Sequence, residues 1–419
     1  MSNPQEATVL NAIDEGSLID DLAALIAIRS LGGAESPAQE WMAERLRSFG
    51  AGVDCWTIDF QSLLSHPAFT MEVPRTSGLG VVGALGDGPG PTLVLNGHVD
   101  VVPTGDLPQW ATDPWKATVR DGCVFGRGAC DMKGGLAAAL AAMRAISVTG
   151  VTLRGRVSLQ SVVAEEDGGA GTLATLVRGH RGDGAVSMEP TELNLATAHA
   201  GALSFRIRIH GLSAHGCIRE EGVSAIELFR PIHDALLDLE AQRNTRLRTS
   251  LFDRYKLPFA LSIGRVAAGD WPSSVPDLLT CEGRYGIAPG EDAAVAKSAF
   301  EQTVATAATG HPYLVAHPPD VEWWGGQFLP AQTDERSSIV TTVAGAIASV
   351  TGRSVQNQAM TYGADMRLLV HQAGTPSVLF GPGSVRHAHR PNEFVRIEDL
   401  MTAARVLALT ALRFANADH

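Results

Sequence analysis

The sequence predicts an α/β protein built on a largely parallel sheet, with a second domain of a different make inserted into it. Three observations lead there. Apolar strand-like runs alternate with helix-like periods over the first two hundred residues, as strands joined by crossover helices require. Near residue 200 the order becomes strand, helix, strand, strand, helix, strand, and it reverts near residue 326. At 419 residues the chain also exceeds one ordinary core. The expected parts are 1–199 and 326–419 for the first domain and 200–325 for the insertion, a ferredoxin-like βαββαβ unit.

The elements follow in order. "GSLIDDLAALIAIRS" and "PAQEWMAERLRSFG" carry apolar residues at helical spacing. "PTLVLNG" reads as a buried strand begun by Pro91 and stopped at Gly97. A Pro/Gly/Trp-rich loop runs to Gly128, and Asp131 then stands where an N-cap belongs, ahead of the Ala-rich helix "GGLAAALAAMRAI". "GRVSLQSVVA" is a strand that ends on "EEDGG". A helix near "GTLATLVRG" leads to a short strand in "DGAVSMEP". In the insertion, "ALSFRIRIH" alternates like a half-exposed strand. A helix near "SAIELFRPIHDALLDLEAQ" follows, then strands near "FALSIGRVA" and "LLTCEGRYGI", a helix "EDAAVAKSAFEQTVATA" and a strand near "HPPDVEWW". The helix "SSIVTTVAGAIASVTG" and the strand "TPSVLFGPG" return to the first pattern.

Composition narrows the function. A net charge of −12 argues against a nucleic-acid partner and an anionic membrane surface. The odd set Cys55, Cys123, Cys130, Cys217 and Cys281 contains no CxxC pair, so a disulfide framework is not expected and a reducing cytoplasm is. Residues 1–16 show no basic-then-apolar leader. The most apolar helix is short and broken by Arg144, so no membrane span is expected.

Parallel sheets bind ligands at the carboxyl ends of their strands. There the polar residues gather. His98 and Asp100 follow "TLVLN", Glu165 and Glu166 follow "VSLQSVVA", Glu189 follows "GAVSM", and His387 and His389 follow "PSVLFGPG". A lone His98 would be an ordinary histidine, and a Glu pair before "DGG" an ordinary solvated loop. Four strands delivering such groups to one sheet edge point to metal. Imidazoles and carboxylates without thiolates suit Zn²⁺, Co²⁺ or Mn²⁺. They outnumber the roughly three ligands of one open catalytic ion, so two ions about 3.5–4 Å apart are expected.

The motifs "GHVDVVP", "FGRGACDMKGG", "AEEDGG", "MEPT", "SAHG", "YGADMRLL" and "FGPGSVRHAHRPNEFV" resemble, in that order, the M20 metallohydrolases. This is the group of acetylornithine deacetylase, succinyl-diaminopimelate desuccinylase, aminoacylase and carboxypeptidase G. The resemblance spans residues 15–410. It implies a di-zinc aminopeptidase-like catalytic domain with an inserted lid and dimerisation domain, and a homodimer that cleaves the amide bond of a small N-acyl amino acid.

Carried over residue by residue, the resemblance makes His98 and Glu189 ligands of one ion, Glu166 and His389 ligands of the other, and Asp131 the bridge. Glu165 matches the general base, which takes a proton from a metal-bridged water and returns it to the leaving amine. Asp100 matches the residue that hydrogen-bonds the far nitrogen of His98. His215 matches a histidine that stabilises the oxyanion across a dimer interface, and Arg284 a lid arginine that holds a substrate carboxylate; a strand arginine on a solvated face is the plainer reading. Relatives often have Asn where "WPSSVP" has Ser274, so a substrate contact there departs from the pattern. Gly363, Asp365 and Arg367 are expected at the substrate, with a structural Asp365–Arg367 salt bridge as the alternative. His387 competes with His389, and the spacing to Glu393 selects His389.

Other chemistries are disfavoured. No G-x-S-x-G elbow occurs, and "GALGDGPGP" lacks the Lys-Ser/Thr of a phosphate-binding loop. A dipeptidase or carboxypeptidase of the same family is the runner-up, and a metal-free binding protein on the same fold is the reading from another class.

Overall fold

Strand Thr92–His98 lies where the order of the larger sheet reverses. In this computed structural model, which describes residues 4–417, the sheet runs Gly52–Asp59, Ser77–Leu85, Arg156–Val162, Thr92–His98, Gly184–Ser187, Ser377–Leu379, Ala196–His199, Ala331–Gln332. The four middle strands are parallel, and Gly52–Asp59, Ser77–Leu85 and Ala196–His199 join the sheet by antiparallel pairings. The chain leaves Thr92–His98 to form one neighbour, Arg156–Val162, and then crosses to form the other, Gly184–Ser187. Such a switch point opens a crevice at the carboxyl ends of the strands. The expected largely parallel sheet is borne out.

Helix Lys133–Val148 packs against this sheet, and 13 of its residues are buried. Its two leading glycines permit the approach, since a Cβ on Gly135 would come within 2.3 Å of Met188 O. Helix Ile397–Ala415 packs beside it, burying Leu400, Leu407 and Leu412 among others. The expected N-cap is corrected: the cap position is Met132, with no side-chain cap bond. The Asp131 carboxylate instead meets two histidines.

The chain divides into two units. One comprises residues up to Ala198, Ala331–Gln358 and Ala364 onward; the other comprises His199–Pro330 with Ala359–Gly363. The pattern reading puts that last short segment in the first domain. In the structure Ala200 N donates to Met360 O at 2.8 Å. Gly363 stands so near Phe328 that a Cβ would come within 2.5 Å of Phe328 Cβ.

The second unit has the element order read from the pattern. Its antiparallel sheet runs Leu261–Ala268, Leu278–Ile287, Gly201–His210, Asp320–Phe328. Leu203, Phe205, Ile207 and Ile209 alternate inward along one strand, as a strand with one covered face requires. They form a core with Leu228, Ile232 and Leu236 of helix Ala225–Arg246 and Phe300 and Val304 of helix Ala293–Ala308. No helix among the described residues is long and apolar enough to cross a membrane.

Candidate metal centre

Five segments bring the acidic and imidazole groups together, all in the first unit. His98 closes the switch-point strand. Glu165 and Glu166 lie in the turn after Arg156–Val162, and Glu189 lies two residues beyond Gly184–Ser187. His389 comes from the loop after Ser377–Leu379, and Asp131 from the turn before helix Lys133–Val148. Ala164 and His389 both hold a positive φ, 60° and 58°, which is costly for a residue with a side chain and is typical of functional sites.

Asp131 stands at the centre. Its Oδ1 lies 3.3 Å from His98 Nε2 and its Oδ2 lies 3.3 Å from His389 Nε2. His389 Nε2 also lies 3.0 Å from a Glu166 oxygen. Ligand atoms of His98, Asp131 and Glu166 all fall within 4.8 Å of one another. Glu165 reaches to 3.9 Å of His98 Nε2. Glu189 is buried close enough to Asp131 and His98 to feel their charges.

The role expected of Asp100 takes a different form. His98 Nδ1 meets the Asp100 backbone carbonyl at 2.9 Å, while the Asp100 carboxylate is 3.7 Å away. A carbonyl only accepts, so Nδ1 carries a proton, and Nε2 is the nitrogen that faces Asp131. The carboxylate turns elsewhere and accepts from Glu166 N at 3.0 Å.

The electrostatics suit cations. Burial disfavours the His98 imidazolium, but Asp131, Asp100, Glu165 and Glu189 outweigh it and hold its pKa well above the usual histidine value. The Glu166 charge does the same for His389. Burial works against the Asp131 anion too, yet its bonds to His389 and His98 hold it well below the carboxylate range. Burial pushes Glu165 and Glu189 well up and Asp100 to about 7. Protons thus balance the charge of a buried acidic cluster. Asp100 Oδ1 and Glu165 Oε1 are buried with no hydrogen-bond partner among the described residues. Unsatisfied buried carboxylate oxygens among imidazoles are a donor set that fits divalent ions.

The remaining expected residues are placed as follows. Asp365 and Arg367 are 1% and 3% exposed. Arg367 Nη2 donates to Gly168 O at 2.6 Å, and a Cβ on Gly169 would come within 2.2 Å of Asp365 Oδ1. Arg367 thereby braces the turn after Glu166, and Asp365 stands against it. The His387 ring stacks on Phe394 at 4.2 Å, outside the cluster. His215, Ser274, Arg284 and Gly363 belong to the second unit. There His215 is exposed, its Nδ1 accepts from Cys217 N at 3.2 Å, and its backbone bridges to Ser274. Arg284 Nη2 donates to Thr361 O at 3.2 Å.

Several supporting residues escape sequence reasoning. Asp167, beside the Glu pair, is held by Arg75 at 2.7 Å, and Arg75 also holds Glu35 at 2.7 Å. Lys133 Nζ donates to Leu25 O and Ile28 O at the end of helix Glu15–Ala27. The "EED" and "DMK" motifs contain two of these residues, but nothing local names their partners.

The Peptidase family M20/M25/M40 matches residues 94–413. An N-formyl-4-amino-5-aminomethyl-2-methylpyrimidine deformylase from Halalkalibacterium halodurans is 30% identical over 334 residues, which cover 75% of this chain and 77% of that one. An acetylornithine deacetylase from Pasteurella multocida is 28% identical over 342 residues, covering 80% and 84%. Among solved structures, a di-peptidase from Saccharomyces cerevisiae superposes with a TM-score of 0.80 at 16% identity, covering 99% of each chain, a likeness of fold. With the family matched over most of its length, the chain belongs to peptidase family M20/M25/M40.

Proposed function

We propose that this chain is a metal-dependent amidohydrolase that cleaves the amide bond of an N-acyl amino acid or a similar small N-acyl amine. The observation that carries this reading is the convergence of His98, Asp131 and Glu166 within 4.8 Å, with the buried Glu165 beside them. Relatives that are a deformylase and a deacetylase support the same bond type. Two divalent ions are assigned here, zinc first and cobalt or manganese as substitutes. His98 and Glu189 would hold one, Glu166 and His389 the other, and Asp131 both.

Bound ions would supply Lewis acidity, which brings the pKa of water toward about 7 in zinc sites. Glu165 acts as general base: it accepts the proton of the attacking water and delivers it to the departing amine nitrogen. Its burial, which raises its proton affinity, and its unpartnered Oε1 suit that exchange. Glu166, one residue on, serves as ligand. Arg367, bonded to Gly168 O, keeps the turn that carries both in place.

The second unit is assigned as lid and dimerisation domain. His215 would donate to the oxyanion in the partner subunit's site. Its Nδ1 is engaged by Cys217 N, which leaves the proton on Nε2 and a donor facing outward. Arg284, whose buried Nε lacks a hydrogen-bond partner among the described residues, is assigned to a substrate carboxylate, and Ser274 and Gly363 to further substrate contacts. A cytoplasmic location fits the five free cysteines.

The test is a panel of N-formyl, N-acetyl and N-succinyl amines beside dipeptides, assayed with Zn²⁺ or Co²⁺. Turnover of N-acyl substrates that chelation abolishes and metal restores is the expected result. Turnover confined to dipeptides would move the assignment to a peptidase of the same family. Full activity in verified metal-free protein would overturn the mechanism.

A further inference from the structure

Beneath the ligands lies a second buried cluster with no part in the chemistry so far. Glu393 and Arg127 are each 1% exposed. Arg127 Nη1 donates to Glu393 Oε2 at 2.5 Å, and its Nη2 donates to Pro103 O at 3.0 Å. The other Glu393 oxygen, Oε1, accepts from Cys130 N at 2.9 Å and Asp131 N at 3.1 Å. Gly126 N donates to Glu393 O at 3.0 Å, and strand Phe394–Arg396 pairs with Cys123–Phe125. Three segments therefore meet on one ion pair: the chain just beyond His98, the turn that carries Asp131, and the loop that carries His389.

Each contact has a physical reason. The turn before helix Lys133–Val148 has no side-chain cap, so its amides need an acceptor from elsewhere. Glu393 accepts two of them. A further carboxylate beside an acidic centre is costly unless neutralised, and the buried Arg127 guanidinium neutralises it in a planar, hydrogen-bonded pair. Two negative side chains, Asp131 and Glu393, can thus lie on adjoining backbone.

We propose that Glu393, held by Arg127, is a positioning residue of the metal centre. It locks the Asp131 turn and the His389 loop together, so that the bridging carboxylate and the imidazole are spaced for the ions before the ions arrive. The pair touches no reacting atom. This inference rests on the metal-centre reading above.

The test measures Zn²⁺ and Co²⁺ affinity of full-length, metal-stripped protein by competition with a chromophoric chelator, with a thermal melt of each metal-free variant alongside. Glu393→Gln keeps an acceptor for the two amides but turns an NH₂ toward Arg127. It is expected to weaken at least one ion by about 10–100-fold, the usual effect of losing an outer partner of a ligand. The double variant Arg127→Met, Glu393→Gln removes that donor–donor clash and is expected to recover part of the loss. Should Glu393→Ala fail to fold, these two variants decide. A lower melting temperature with wild-type metal affinity would mean a purely structural pair and overturn the inference. If wild type binds ions and Glu393→Gln binds them equally well, this inference alone fails. If wild type binds none, the metal-centre reading fails with it.

Discussion

Asp100 reaches across from the end of one strand to the turn after the next, where its Oδ2 accepts from Glu166 N at 3.0 Å. One residue thereby sets two others: its carbonyl fixes the His98 ring, and its carboxylate fixes the backbone of Glu166. Asp100→Ala keeps the carbonyl and loses the carboxylate. It leaves the Glu166 amide without its acceptor, a cost of about 1–3 kcal/mol. Metal affinity is expected to fall about 10–100-fold. Asp100→Asn retains an acceptor oxygen and is expected to lose less. Wild-type metal affinity in a folded Asp100→Ala protein would refute this account.

Glu165 and Glu166 are adjacent in sequence but assigned to different roles. Glu165→Ala removes the proposed proton carrier and no proposed ligand, so turnover is expected to fall about 10²–10⁴-fold with metal content retained. Glu166→Ala removes the proposed ligand, which also contacts His389. Its metal content is expected to fall. Metal analysis of the two purified variants checks the assignment: equal loss of metal in both would overturn the division of roles, and loss in Glu165→Ala alone would reverse it.

How much of the fold and site is legible in the sequence depends on distance along the chain. His98, Glu165, Glu166 and Glu189 stand at or just past the ends of apolar runs, so the strand pattern alone delivers them to one edge. The contacts of Glu393 and Asp100 involve backbone amides and carbonyls, which every residue possesses, and no pattern marks which ones will meet. Strands Gly52–Asp59 and Ser77–Leu85 escape the pattern because the second is glycine-rich where side chains intrude: a Cβ on Gly80 would come within 2.4 Å of the Trp56 ring. Strands of three residues, such as Phe394–Arg396, are too short to show a period.

The assignment of His215 to a partner subunit makes an unusual demand on a mixture. His215→Ala and Glu165→Ala are each expected to be inactive, the first by about 10²–10³-fold as an oxyanion donor is lost. If subunits exchange, a mixed dimer has one site lacking both groups and one site with both. Mixing the two variants under exchange conditions is therefore expected to restore activity. A mixture that stays inactive while native mass spectrometry shows mixed dimers would mean that His215 acts within its own chain or has no catalytic part.

Alkaline pH separates the second unit from the metal chemistry. Tyr285 is buried there, its hydroxyl without a hydrogen-bond partner among the described residues and the Arg243 guanidinium 4.2 Å from its ring centre. Burial pushes its pKa up to about 12, against about 10 for an exposed tyrosine. The fold favours the protonated form, so this stability is intact below pH 10 and is lost as pH rises from 10 through 12. A displacement of that size corresponds to about 2–3 kcal/mol. Cys281, raised to about 11 by burial, adds a loss of the same sign and similar size. Tyr285→Phe removes an unpartnered hydroxyl, so it is expected to be near neutral at pH 7 and to flatten the decline above pH 10. Denaturant unfolding of both proteins from pH 8 to 12 reads the difference, in which the Cys281 contribution cancels. Parallel curves would show that the Tyr285 phenol is not held in its protonated form by the fold.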